Sequence, residues 1–166
     1  MHRKLKPNPM KLTKQFFLFL FIFLCLGYFR EFFFVQMNNI LYQKYYGTQT
    51  ALPVATIMSV FQRFSYSNLY YSKYLFTIAW VAVFYLANFY VLKKLADAPL
   101  IKYLNYAYII MFVLGVLSMA YGLVVNNRLQ DDEYTLSRWL MGIAQSPIIC
   151  LILLASEKLY NKSTTS

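Results

Sequence analysis

The sequence predicts an all-α integral membrane protein with four transmembrane helices and an amphipathic helix in the first outer loop. Three observations lead there. The chain of 166 residues is 60% hydrophobic and 13% charged, far more apolar surface than one soluble domain of that size can bury. Four apolar stretches each run for roughly the ~20 residues that a helix needs to cross a ~30 Å hydrocarbon core. The basic residues, which give a net charge of +10, cluster in alternate connections between those stretches.

The first stretch follows a basic tail, residues 1–15, carrying Arg3, Lys4, Lys6, Lys11 and Lys14 with no acid. A continuous apolar block, Phe16 to Leu26, comes next, a pattern shared with signal peptides. No small-x-small cleavage site follows it, and Ile22, Phe23 and Leu24 before Cys25 are too bulky for lipoprotein-type processing. Apolar character resumes after Arg30-Glu31 as Phe32-Phe33-Phe34-Val35, so residues 16–35 read as an uncleaved first span.

Residues 36–73 form the expected outer loop. Asn38-Asn39 and the tyrosine-rich run Tyr42 to Tyr46 lead into a turn at Gly47-Thr48-Gln49-Thr50. Val54, Ile57, Met58, Phe61 and Phe64 recur at helical spacing after Pro53, which suits a helix start. The expectation is an amphipathic helix lying on the outer leaflet or capping the bundle; the alternative is a substrate-binding lid. Tyr66, Tyr70, Tyr71 and Tyr74 suit a headgroup belt.

Residues 74–92 and 103–125 carry no charge and read as the second and third spans, an antiparallel pair joined through Lys93, Lys94, Asp97, Pro99 and Lys102. In the third, Gly115, Ser118 and Gly122 form a stripe of small residues suited to close helix packing. The following loop holds Arg128 and Asp131-Asp132-Glu133, which lack the alternating ligands and glycine of a calcium loop and read as a solvated turn. The fourth span, residues 138–155, opens on Arg138 and contains Gln145, Ser146 and Pro147. Arg138 and Gln145 are seven residues apart and should share a helix face, Gly142 and Ser146 form a small-xxx-small pair, and Pro147 is expected to kink the helix. A polar tail, residues 156–166, carries Lys158 and Lys162.

With both termini cytoplasmic, ten basic residues fall inside (the five of the N-terminal tail, Lys93, Lys94, Lys102, Lys158 and Lys162) and four outside (Lys44, Arg63, Lys73 and Arg128). That asymmetry predicts a multi-pass membrane protein with both ends in the cytoplasm. The same orientation brings Arg30, Glu31 and Arg138 to a similar depth near the outer face. Charge at that depth is costly unless paired, so the expectation is a Glu31–Arg138 ion pair between helices, with Arg30 snorkelling toward lipid phosphates as the alternative use.

Arg30, Glu31, Arg138, Gln145, Ser146 and Pro147 are therefore the candidate intramembrane contact residues. No catalytic, cofactor-binding or metal-binding set is expected: His2 lies in the tail, and Cys25 and Cys150 lack ligand spacing and read as packed thiols. Nucleic acid is excluded as a partner, because the positive charge is spread over connections and not gathered on a soluble module.

Arg-Glu-Phe-Phe-Phe-Val at residues 30–35 and Ala-Gln-Ser-Pro at residues 144–147, in a small four-helix membrane protein, resemble the small membrane proteins encoded beside exosortases in Bacteroidetes-type bacteria. Exosortases are multi-spanning, transpeptidase-like enzymes that process exported proteins. Their cysteine, arginine and histidine set is not matched here, so the resemblance implies an accessory protein with an exosortase partner and carries over no catalytic residue. The leading expectation is a non-enzymatic membrane accessory protein or subunit. Two alternatives stand beside it. One is an outer-leaflet intramembrane enzyme with Glu31 as acid or base and Arg30 or Arg138 binding a phosphate or carboxylate. The other is a small transporter or channel subunit with Arg138 and Gln145 facing the path.

Overall fold

The structure, a computed structural model, describes residues 9–47, 53–95, 99–126 and 135–163. His2 and the basic residues Arg3, Lys4 and Lys6, the turn residues Thr48-Gln49-Thr50, Asp97, and Arg128 with Asp131-Asp132-Glu133 lie outside the described residues. The elements are α1 (Pro9–Tyr46), a 3₁₀ helix (Thr56–Arg63), α2 (Tyr66–Leu95), α3 (Pro99–Asn126), α4 (Thr135–Ala144) and α5 (Ile148–Ser163). Regular structure is thus wholly helical among the described residues. α1, α2 and α3 contain stretches long and apolar enough to cross a membrane, and α4 with α5 meets the same test only as one span bent by 64°. The spans number three, or four if the bent pair is one.

Local chemistry sets the helix ends. Pro9 and Pro99 stand in the first turns of α1 and α3, where a missing N–H costs nothing. Ser65 caps α2: its hydroxyl accepts from the Asn68 N–H at 3.4 Å and its carbonyl from the Leu69 N–H at 3.0 Å. Lys93 and Lys94 occupy the last turn of α2, where the helix dipole favours cations. Gly47 ends α1 in the left-handed region at φ +66°, its N–H donating to the Gln43 carbonyl at 3.0 Å.

The expected first span lies within α1, but α1 overruns it. At 1.5 Å per residue its 38 residues extend about 57 Å, nearly twice a ~30 Å hydrocarbon core. Tyr42 to Tyr46, expected in the outer loop, are the end of α1, and Tyr66 to Tyr74 open α2. No breaker interrupts the chain from Phe32 until Gly47, and Met37, Ile40 and Leu41 in the overrun are buried.

The loop helix departs from its expected form. It is a 3₁₀ helix, and Pro53 stands outside it. α1 straps it at both ends: the Ala55 N–H donates to Gln36 Oε1 at 3.0 Å, and Lys44 Nζ donates to the Gln62 carbonyl at 2.8 Å. Met58 is buried, with Val54 and Phe61 packed nearby, but Ile57 is 77% exposed and Phe64 is also exposed. Three residues per turn put Met58 and Phe61 in one line and rotate Ile57 by about 120° away from it, so the α-helical face expected for Val54, Ile57, Met58, Phe61 and Phe64 does not form.

Two cores result. Phe19 and Phe23 of α1, Phe84, Val91 and Leu92 of α2, Leu104, Tyr108 and Met111 of α3, and Ala144, Ile149 and Cys150 of the bent pair make the first. Met37, Ile40 and Leu41 of α1, Met58 and Leu69 make the second. Phe33 lies at the edge of the second, 4.9 Å from the Phe76 ring and 5.9 Å from Phe61. The outside is as apolar as the inside: Ile109, Ile110, Phe112 and Val113 of α3 are all exposed, as expected when lipid replaces water around a helix. Of the small-residue stripe, Gly115 packs closely. A Cβ on Gly115 would stand 2.6 Å from Met141 Cε, so α4 approaches α3 where α3 lacks a side chain. Cys25 and Cys150 are free thiols, the latter buried.

Candidate functional site

Gln145, Ser146 and Pro147, singled out in the last span, form the break between α4 and α5. Pro147 has no N–H to offer the Ile143 carbonyl one turn back. The Ser146 hydroxyl takes that place, donating to Ile143 O at 2.7 Å, and accepts from the Ile148 N–H at 3.3 Å. α5 starts from the Pro147 carbonyl, which accepts from the Leu151 N–H at 2.9 Å. One hydroxyl thus joins the end of α4 to the start of α5, and the expected kink is a full break.

A break inside an apolar core leaves carbonyls that need donors. Two neighbouring helices supply them. Tyr108 of α3 donates its hydroxyl to Ala144 O at 2.9 Å, and Asn88 of α2 donates Nδ2 to Ser146 O at 3.2 Å and to the Tyr108 hydroxyl at 2.8 Å. Asn88 has no exposed surface, and its Oδ1 is buried without a donor among the described residues. That acceptor is left unmet so that Nδ2 can serve two partners, at a cost on the order of 1–3 kcal/mol.

Gln145 forms the second pin. It is 4% exposed, accepts from Arg30 Nε at 2.6 Å through Oε1, and donates Nε2 to the Thr77 carbonyl at 2.9 Å. One amide therefore ties α1 and α2 to the α4–α5 junction. Arg30 Nη1 stands 4.0 Å from Glu31 Oε2, and its guanidinium lies 5.9 Å from the centre of the Phe34 ring.

The expected Glu31–Arg138 ion pair is not formed. Glu31 is 69% exposed beside Arg30, and Arg138 is exposed with no ion pair among the described residues. Adjacent helical residues point about 100° apart, so turning Arg30 toward Gln145 turns Glu31 away from the bundle. Nor do Arg138 and Gln145 share surroundings. Gln145 is the first residue past the end of α4 and enters the core, while Arg138 stays at the surface.

Arg138 and Arg30 instead both line a shallow, open cleft of about 380 Å³, together with Trp139, Gly142, Ile143 and Ile148. A Cβ added at Gly142 would meet nothing within 4 Å, so this residue leaves the cleft open. Chemically, the cleft offers two guanidinium groups against one exposed carboxylate, which suits an anion. Among the described residues no three His, Cys, Asp or Glu side chains gather as a metal site. Thr77, Asn88 and Tyr108 were not among the residues expected from sequence, although Asn88, an amide within an otherwise apolar span, carries the signal that would have found it.

Comparison with protein-family models, curated proteins and solved structures finds no match to this chain.

Proposed function

We propose that this chain is a non-enzymatic accessory subunit of a membrane-embedded protein-sorting system of the exosortase type, inserted in a bacterial inner membrane with both termini cytoplasmic. The observation that carries this reading is that the two motifs behind the exosortase-neighbour resemblance meet in space: Arg30 of the first donates to Gln145 of the second, across 115 residues of sequence. Their polar groups serve helix-to-helix pins, together with the Ser146 bridge across the break. Groups held that way build a rigid scaffold.

The partner surface follows from the overrun of α1. The ends of α1 and α2 and the 3₁₀ helix form a head beyond the polar layer, and it presents exposed Tyr45, Tyr46, Ile57, Phe64 and Tyr71. Aromatic residues are enriched where proteins meet. The partner is a second membrane protein that carries the peptidase chemistry this chain does not supply.

A photo-crosslinking residue at Ile57 or Tyr71, activated in native membranes, should give one discrete adduct that mass spectrometry identifies as a multi-spanning peptidase-like protein. Only lipid adducts, or adducts with a transported solute's carrier, would overturn the reading. Cysteines placed at Ser163 and Thr48 should react with impermeant reagent from opposite sides, and labelling from one side would overturn the topology.

A further inference from the structure

The cleft between α1 and the α4–α5 break stands apart from the proposed docking head and has its own chemistry. From Lys14 to Arg30 along α1 is about 24 Å, and from Lys94 back to Thr77 along α2 is about 26 Å, at 1.5 Å per residue. The lysines at one end therefore mark one interface, and the Arg30–Gln145–Thr77 layer lies just short of the other for a ~30 Å core. Arg138, seven residues before Gln145, lies about a further 10 Å along α4, which is bent 64° from α5 and so adds roughly 5 Å of depth, to the edge of the ~30 Å core. That edge borders the lipid phosphates, and the neighbouring Trp139, 70% exposed, is the residue type that favours it.

Two guanidinium groups line the cleft with one carboxylate beside them, and that carboxylate stands 4.0 Å from Arg30 and 69% exposed. The cleft thus has an excess positive charge among the described residues. Arg30 uses Nε on Gln145, while its remaining N–H groups and all those of Arg138 have no hydrogen-bond acceptor among the described residues. The rest of the lining is apolar, with Ile143 half-buried and Ile148 exposed. A ligand that matches both halves carries one negative, multi-acceptor head and a hydrocarbon tail.

We propose that this cleft is a binding site for an anionic phospholipid, whose phosphodiester is held by Arg138 and Arg30 while an acyl chain lies along Ile143 and Ile148. Gly142 provides the room, and the lipid closes the polar break of the last span against the bilayer.

The test is native mass spectrometry of the full chain released from nanodiscs made with phosphatidylglycerol or with phosphatidylcholine. The wild-type chain should retain one phosphatidylglycerol and should retain phosphatidylcholine roughly tenfold less, a factor matching one charge-assisted contact. Arg138→Gln should lower phosphatidylglycerol retention roughly tenfold, and Arg138→Lys should restore part of it. Gly142→Phe should fill the cleft and displace the lipid, with the folded chain confirmed by circular dichroism. If that variant does not fold, Arg138→Gln decides alone, since Arg138 is exposed and makes no ion pair among the described residues. Equal retention of the two lipids, or unchanged retention in Arg138→Gln, would overturn the proposal. Displacement of the lipid by millimolar inorganic phosphate would overturn it too, because the site would then take a free phosphate. None of these outcomes depends on a protein partner, so the docking reading stands or fails separately.

Discussion

Replacing Gln145 with Leu should loosen the junction of three helices at once. The change keeps the volume close, so little cavity energy is lost. What goes is the acceptor for Arg30 Nε at 2.6 Å and the donor to the Thr77 carbonyl at 2.9 Å. A hydrogen bond to a charged group contributes about 1.5–3 kcal/mol. The lower half of that range applies here, because the Arg30 side chain is 28% exposed and can rehydrate through the cleft. The Thr77 contact adds about 0.6 kcal/mol, the average found for side-chain bonds between membrane helices. The expected loss is about 2–3 kcal/mol. In an Arg30→Leu background the same change should cost only the Thr77 part, giving a coupling of roughly 1.5–2 kcal/mol. Glu31→Gln serves as the control and should stay within about 0.5 kcal/mol, since an exposed pair at 4.0 Å contributes little. Reversible unfolding by dodecyl sulfate in mixed micelles, followed through Trp80 and Trp139 fluorescence, measures all four variants. Additive effects of Arg30→Leu and Gln145→Leu, within about 0.5 kcal/mol, would refute the pin.

Tyr108→Phe should destabilise the chain by about 1–2 kcal/mol, because it leaves the Ala144 carbonyl at the break without its donor and Asn88 without one acceptor. Hydrogen exchange should quicken at the amides of Ile148 to Leu151, and unchanged exchange there would show that the break holds without Tyr108. Met58→Ala should free the 3₁₀ helix from α1 and raise protease cleavage near Arg63, a core truncation worth about 2–3 kcal/mol, whereas Ile57→Asp at an exposed position should leave cleavage as it was. Equal sensitivity of the two variants would show that the 3₁₀ helix does not dock through Met58.

The helical membrane class was legible in the sequence because each of its signals is local. Uninterrupted apolar runs such as Tyr74 to Leu92 and the turn signal at Gly47 act within one span or one turn, and both do so in the structure, whereas Pro53, read as a helix start, stands outside the 3₁₀ helix. A kink at Pro147 is equally local, since it needs only the missing N–H, but the 64° break and the Ser146 hydroxyl that bridges it came from the structure. The loop was legible only in part. Spacing marked Met58 and Phe61 as apolar anchors, but whether the turn holds 3.6 or 3.0 residues depends on the straps from Gln36 and Lys44 of α1. Partner choice was not legible at all. Depth brought Arg30, Glu31 and Arg138 near one another in the expectation, yet depth says nothing of azimuth, and azimuth decides which side chains touch. Arg30 meets Gln145 across 115 residues, Gln145 meets Thr77 across 68, and Asn88 meets Ser146 across 58. The sequence by itself therefore determined that this chain is helical, apolar on its outside and bent near Pro147. Only the tertiary structure decided that the break is closed by Asn88 and Tyr108, that Glu31 turns outward, and that Arg30 and Arg138 share a cleft, because those outcomes depend on how whole helices rotate to pack.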